Sequence, residues 1–463
     1  MRVPFSSSRR GHGALSAMTS ALLLSGQVVN GINVDLTNTG SIKKAASTLA
    51  HGMMAYYTGN NTGDVPGNLP APYYWWEAGA MFGALIDYYY YTGDTTYNDV
   101  VTQGMLFQVG PNNDYMPPNQ TKTEGNDDQA FWGMAAMSAA ENKFPDPPEG
   151  KPQWLALAQG VFNSQAARWD NATCKGGLRW QIFTFNNGYN YKNSISNGCF
   201  FNIAARLAMY TGNQTYADWA DKMWDWMEDV GLMSEDYKFF DGTDTTINCS
   251  AVDHHQWSYN AGTFLLGAAN MYAFTKQDPK WEGRVSGILN ATSVFFSPQV
   301  KNVMYEVACE PYGKCNTDQK SFKAYLSRWL AASTKVAPFI TNQVMPLLQA
   351  SARGAAQQCS GGTDGVTCGI KWTQAAWDGS YGVGEQMSAL EVIQSNLISK
   401  VPGPATAKKG GTSKGDPGAG AGGDNVPPGV QTEKITSGDR VGAGFLTTLI
   451  CVGVIGGAYW MVA

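Results

Sequence analysis

Two adjacent carboxylates, Asp127 and Asp128, open the aromatic and apolar run Ala130-Phe131-Trp132-Gly133-Met134-Ala135. Acidic residues are common in the first turn of a helix, where the dipole favours them, so capping alone is one reading of the pair. Side by side in an aromatic cleft they do more. Two carboxylates at close range cannot both ionise freely, so one proton affinity rises and the pair divides into an anion and an acid near neutral pH. A glycosidase requires that division. Consecutive Cα atoms lie about 3.8 Å apart, and side chains diverging from a helix start can bring the carboxyls to the roughly 5–5.5 Å separation of retaining enzymes.

Other polar residues unsuited to a helix core gather at the starts of helix-length segments. These are Asn126, the stretch from Asn193 to Asn197, Asp253-His254-His255-Gln256, Asp318-Gln319-Lys320, and Asp378 with Tyr381 and Glu385. If the helices they open run the same way, their starts ring one mouth, where a cleft is expected. Trp76, Trp132, Trp180 and Trp257 stand near the same starts, and an aromatic ring can cover one face of a sugar. Trp132, four residues past Asp128, is equally placed for core packing, whereas Trp180 lies in the long connection from Gly176 to Asn193 with no helix to pack within. The 4 histidines form no HExxH pattern, and Cys-rich metal spacing, a GxSxG elbow and a Walker loop are all missing, so neither metal nor cofactor is expected. His254 and His255 suit ordinary polar packing as well as sugar contact.

The elements that must position these residues are helices. Between about residues 41 and 398 apolar positions recur every three to four residues, as in Trp154, Leu155, Leu157, Ala158, Val161 and Phe162. Twelve segments result: 41–57, 75–91, 97–108, 127–141, 152–169, 194–210, 216–230, 257–274, 280–295, 318–332, 336–357 and 383–398. Odd members carry charge on one face, as outer helices do, and even members are rich in Gly, Ala and aromatic residues, as suits an inner ring. A turn recurs after inner members, Tyr91-Thr92-Gly93-Asp94 and Tyr210-Thr211-Gly212-Asn213, with Phe274 to Asp278 a looser echo. Gly past a helix end followed by a capping residue is the expected chemistry. Alternating pairs of this number describe an all-α (α/α)6 barrel of six inner and six outer helices; a helical solenoid is the plainer alternative.

The net charge of −5 and the lack of basic clusters in the body exclude nucleic acid as a partner. Residues 1–31 read as a signal peptide, 32–400 as the catalytic domain, 401–440 as a flexible Gly/Pro-rich stalk, and 441–463 as a hydrophobic tail. The tail could span a membrane, but no Lys or Arg follows it, which favours a glycosylphosphatidylinositol (GPI) signal that is removed. Gly422-Gly423-Asp424 and Ser437-Gly438-Asp439 are both open as attachment regions. Sequons at Asn60, Asn119, Asn171, Asn213, Asn248 and Asn290 suit a glycosylated ectodomain. Of 8 cysteines Cys451 lies in the tail, which leaves an odd number and so at least one thiol without an intramolecular partner. Cys309 with Cys315 and Cys359 with Cys368 are the natural short loops.

Several stretches together resemble glycoside hydrolase family 76, and within it the fungal GPI-anchored mannan endo-1,6-α-mannosidases. They are Tyr74-Trp75-Trp76-Glu77-Ala78-Gly79-Ala80-Met81-Phe82-Gly83 with Asp87-Tyr88, Asn126-Asp127-Asp128-Gln129-Ala130-Phe131-Trp132, Ser196-Asn197-Gly198, and Ser258-Tyr259-Asn260-Ala261-Gly262. The resemblance covers about residues 32–399 and implies the (α/α)6 fold and a retaining reaction on α-1,6-linked mannose. By position, Asp127 matches the nucleophile and Asp128 the acid/base. Substrate contacts are expected from Trp76, Asn126, Trp132, Trp180, Asn197, His255, Tyr259, Asn260, Asp318 and Lys320. It also implies an α-mannose-containing glycan as donor, β-glucan as a possible acceptor, and a place on the outer face of the plasma membrane and in the wall. Two other classes remain open: a catalytically weak glycan-binding protein that organises the wall, and a helical-toroid epimerase or lyase that relies on His254 or His255.

Overall fold

The computed structural model describes residues 31–421, 447–448 and 451. The expected leader, most of the tail and the candidate attachment residues lie outside the described residues. In chain order the helices are α1 (Thr39–Met54), α2 (Trp75–Thr92), α3 (Asn98–Phe107), α4 (Asn126–Glu141), α5 (Trp154–Ala167), α6 (Ser194–Thr211), α7 (Gln214–Asp229), α8 (Ser258–Phe274), α9 (Pro279–Ala291), α10 (Phe322–Val336), α11 (Thr341–Gln358) and α12 (Val383–Gln394). Each answers to one segment expected from periodicity. The largest offsets are at the starts of α11 and α10, where the 3-10 turns Pro338–Ile340 and Asp318–Ser321 precede the α-helices.

The even helices close a ring: α2 packs on α4, then α6, α8, α10 and α12, which returns to α2. The odd helices lie outside, with α3, α5, α7 and α9 each against the inner helix before it and α1 and α11 against α12. This is an (α/α)6 barrel. The two sequence types have different surroundings. On α7 the stripe Tyr216, Ala217, Ala220, Met223, Trp224 and Met227 is buried at helical spacing while Asp218, Lys222 and Asp225 face water. On α8, by contrast, nearly every side chain is enclosed. The recurrent turn works as expected, since Gly93 and Gly212 cap α2 and α6 with φ 74°. Its looser echo lacks glycine, and Lys276 and Gln277 take the positive φ instead.

Connections at the lower end of the inner helices are short, and those at the upper end are long. The upper ones contain antiparallel strands that the sequence reading did not anticipate: β1 (Tyr191–Asn193), β2 (Gly242–Asp244) and β3 (Val252–Asp253), in that order. Disulfides join Cys309 to Cys315 and Cys359 to Cys368, as the spacing suggested, and Cys174 to Cys249; Cys199 is a free, buried thiol. At the lower end a polar plug fills the ring. Arg328 pairs with Asp87 at 2.8 Å and Glu391 at 2.7 Å, and Arg206 with Glu141 at 2.6 Å.

One expectation is corrected here. Residues 401–421 are not a free stalk but a strap on the barrel. The amides of Ala405 and Ala407 donate to Glu141 O and Tyr210 O, carbonyls at the ends of α4 and α6, and Ser413 Oγ accepts from the Leu155 amide in the first turn of α5. Helix ends leave such groups without intrahelical partners. The strap's small residues bury little apolar area, which is why composition suggested disorder, but its backbone satisfies orphaned polar groups, which composition does not report.

Candidate active site

The starts of the inner helices and the long upper connections enclose a cleft of about 540 Å³. Asp127 and Asp128 lie on its floor in the first turn of α4. Asp128 Oδ2 accepts the Gly125 amide at 2.7 Å, so this carboxylate caps its own helix. Asp127 Oδ1 is buried without a hydrogen-bond partner. Burial, and then the charge of Asp128, push Asp127 well above the carboxylate range, against backbone amides and the Ser196 hydroxyl that favour its anion. Burial raises Asp128 to about 6, with the charge of Asp318 adding to the effect. Close beneath them the Glu124 carboxyl is fully enclosed with both oxygens unpaired, and burial raises it too. The site thus holds protons at pH values where exposed carboxyls have lost them.

The walls are aromatic and acidic. Trp76 donates its indole N–H to Asp318 Oδ1 at 3.2 Å and packs on Phe131, with ring centroids 4.8 Å apart. Trp180 sits on the connection that bridges Gln181 to Gly125. Tyr259 stacks on Phe322 at 3.8 Å. Asp241 accepts from Tyr191 Oη at 2.6 Å and Trp257 Nε1 at 2.9 Å, and burial raises its pKa. His255 Nδ1 lies 2.5 Å from Asp253 Oδ1, and its ring is stacked parallel to Trp257.

Of the residues expected in the site, Asp127, Asp128, Trp76, Trp180, His255, Tyr259 and Asp318 line the cleft. Five do not, and these are corrections. Trp132 is fully buried, stacked on Trp75 at 5.1 Å, because its position on α4 turns it against Trp75, Gly79 and Phe82 of α2 and against Tyr115. Asn126 is tied behind the floor, donating to Arg179 O and accepting from Arg168 Nε. Asn197 holds both the amide and the carbonyl of Leu178, which anchors the connection that carries Trp180. Asn260 is wholly buried in α8. Lys320 turns to Glu385 at 3.0 Å.

Asp241, Tyr191 and Lys314 line the cleft and were not singled out from sequence, whereas Asp253, also in the lining, belongs to the cluster expected at the mouth. Asp241 and Tyr191 sit on or beside the short strands, in connections without periodicity, and no local pattern marks them. A larger groove of about 710 Å³ runs along the outer wall between Trp169, Lys222 and Trp226, but its acids lie along one solvated face of α7 and include no buried adjacent pair. The six sequon asparagines are all exposed.

The model for glycosyl hydrolase family 76 matches residues 41–408. The chain belongs to glycosyl hydrolase family 76. Among its relatives, the mannan endo-1,6-alpha-mannosidase DCW1 of Saccharomyces cerevisiae is 49% identical over 95% of this chain and 97% of its own length. The mannan endo-1,6-alpha-mannosidase DFG5 of Candida albicans is 45% identical over 96% and 98%. Among solved structures, Dfg5 from Chaetomium thermophilum in complex with glucosamine superposes with a TM-score of 0.80 at 47% identity, covering 83% of this chain and 97% of that one. The more distant family 76 α-1,6-mannanase of Salegentibacter, 19% identical over 77% of this chain and 99% of that one with a TM-score of 0.61, shares the fold.

Proposed function

We propose that this family 76 chain is a retaining glycosidase or transglycosidase acting on α-1,6-mannose-containing glycans in the fungal cell wall. The observation that carries the proposal is the buried adjacent pair Asp127–Asp128 on the floor of an aromatic cleft. The relatives named as mannan endo-1,6-alpha-mannosidases support the substrate class.

In the free protein the shared proton favours Asp127, whose Oδ1 has no partner, while Asp128 is held as an anion by the Gly125 amide. The reaction needs the opposite arrangement. Positive charge developing at the anomeric carbon over Asp127 stabilises its anion, and a leaving glycosidic oxygen beside Asp128 draws the proton there. Asp128 then protonates the leaving oxygen as the Asp127 carboxylate forms a bond to the anomeric carbon. In the second half Asp128 takes a proton from the incoming hydroxyl, whose oxygen displaces Asp127. If that hydroxyl belongs to a sugar, the product is a new glycosidic linkage.

We read the acceptor as β-glucan, the donor as the mannose-containing glycan of GPI-linked proteins, and the chain itself as secreted and GPI-anchored at the outer membrane face. The glucosamine bound by the Chaetomium relative is in keeping with an amino-sugar-containing donor. Incubation with an α-1,6-mannose oligosaccharide, with and without β-glucan oligosaccharides, followed by product mass analysis tests this. Shortened donor alone indicates hydrolysis, a donor–acceptor adduct indicates transfer, and binding without either product sinks the enzymatic reading.

A further inference from the structure

The strap of residues 401–421 begins beneath the barrel and ends near its mouth. Lys335, in the last turn of α10, donates to Val401 O at 2.6 Å, and the Ala405 and Ala407 amides pair with lower-end carbonyls of α4 and α6. From there the strap climbs α5, which runs from the lower end to the mouth. Its contacts rise in order: Ser413 Oγ with the Leu155 amide at 2.9 Å, the Asp416 amide with Gln159 Oε1 at 2.7 Å, and the Pro417 and Ala419 carbonyls with Asn163 Nδ2 at 2.9 and 2.8 Å. Leu155 to Asn163 is a rise of about 12 Å along the helix. The Gly420 amide then donates at 2.9 Å to Asn112 O, which belongs to the mouth-side connection between α3 and α4.

A second observation points the same way. Of the exposed large apolar side chains among the described residues, Phe339 is the only one at the lower end. Tyr74, Phe185, Tyr312 and Tyr381, exposed by 59 to 72%, stand in mouth-side connections. The three tyrosines carry a polar edge on an apolar ring, and such rings favour the boundary between water and lipid headgroups.

We propose that the strap mounts the barrel with its cleft toward a lipid surface, so that the rim around Tyr74 and Tyr381 faces the headgroups. The inference rests on the reading that the chain is tethered to the membrane through the segment after the strap. Departure at Lys400 would place the tether under the closed end and aim the cleft away from the lipid. Departure after Ala421, with attachment at Gly422-Gly423-Asp424, places it at the level of the mouth. A donor glycan that is itself lipid-linked then meets the cleft without having to reach around the barrel.

The test uses the full chain in membranes of expressing cells, with a fluorophore at Tyr381→Cys or at Phe339→Cys and a quencher on the headgroup of added phosphatidylcholine; Cys199 is buried. The Tyr381 label is expected to be quenched at least three-fold more than the Phe339 label. Membrane-bound protein with the Phe339 label equally or more strongly quenched overturns the orientation and leaves the tether standing. Protein missing from the membrane fraction overturns the tether, and the orientation falls with it.

Discussion

Gly125 offers a way to move one carboxylate of the proposed catalytic pair without removing it. It precedes α4 with φ −89° and ψ 164°, a conformation that any residue adopts, so Gly125→Ala introduces no backbone strain. A Cβ built there would stand 2.4 Å from Asp127 Oδ1, 3.1 Å from Trp180 O and 3.2 Å from Asp128 Oδ2. The last two contacts relax by tenths of an ångström. The first must open by about 1 Å to reach ordinary contact, and Asp127, the softer partner, swings away. The amide that caps Asp128 is kept. A nucleophile misplaced by about 1 Å costs roughly 100-fold in rate, so kcat on an α-1,6-mannose tetrasaccharide should fall by about that factor with KM little changed. Alanine is a poorer N-cap than glycine by about 1 kcal/mol or less, which lowers the melting temperature by about 2–4 °C at most. A kcat within three-fold of the parent, in a variant that unfolds at nearly the parent temperature, would refute the claim that Asp127 reacts from the position found here.

Asp127→Asn and Asp128→Asn should each abolish turnover while helical circular dichroism is retained. Both carboxyls are raised by burial, Asp128 to about 6, so kcat/KM should fall below about pH 6 as the pair takes its second proton, and fall again in alkali as the last proton leaves. A carboxyl raised above its ordinary 3.8 contributes stability that is present below that value and lost as pH rises through the folded pKa, so Asp127→Asn should raise the melting temperature at pH 7 and leave it unchanged at pH 4. Trp180→Ala removes an aromatic wall of the cleft and should lower the ratio of transfer to hydrolysis by roughly 2–10-fold, more than it lowers donor cleavage; a uniform fall assigns the ring to the donor or the fold. Ser413→Ala leaves the Leu155 amide unpaired and should cost about 1 kcal/mol, seen as a small drop in melting temperature with activity unchanged.

The barrel was legible from periodicity because each helix hides its own signal in spacing. The alternating charge of the odd members and the Gly, Ala and aromatic content of the even ones reflect surroundings buried on one face or on all faces. The Asp127–Asp128 pair was legible because adjacency along the chain is adjacency in space. The two short disulfide loops were legible for the same reason. What the chain alone could not decide is which polar residue at a helix start faces the cleft and which faces its neighbours. Trp76 and Trp132 both stand near a helix start in sequence, yet the rotation of α2 and α4 puts one in the wall of the cleft and the other in the core. Asn197 and Asn260 look like ligands for sugar and are enclosed in α6 and α8. Asp241 and Tyr191 reach the site only because strands 50 residues apart in sequence pair above the barrel. The strap is the extreme case, since its attachment depends on unpaired amides and carbonyls at the ends of distant helices, and these exist only once the barrel has closed.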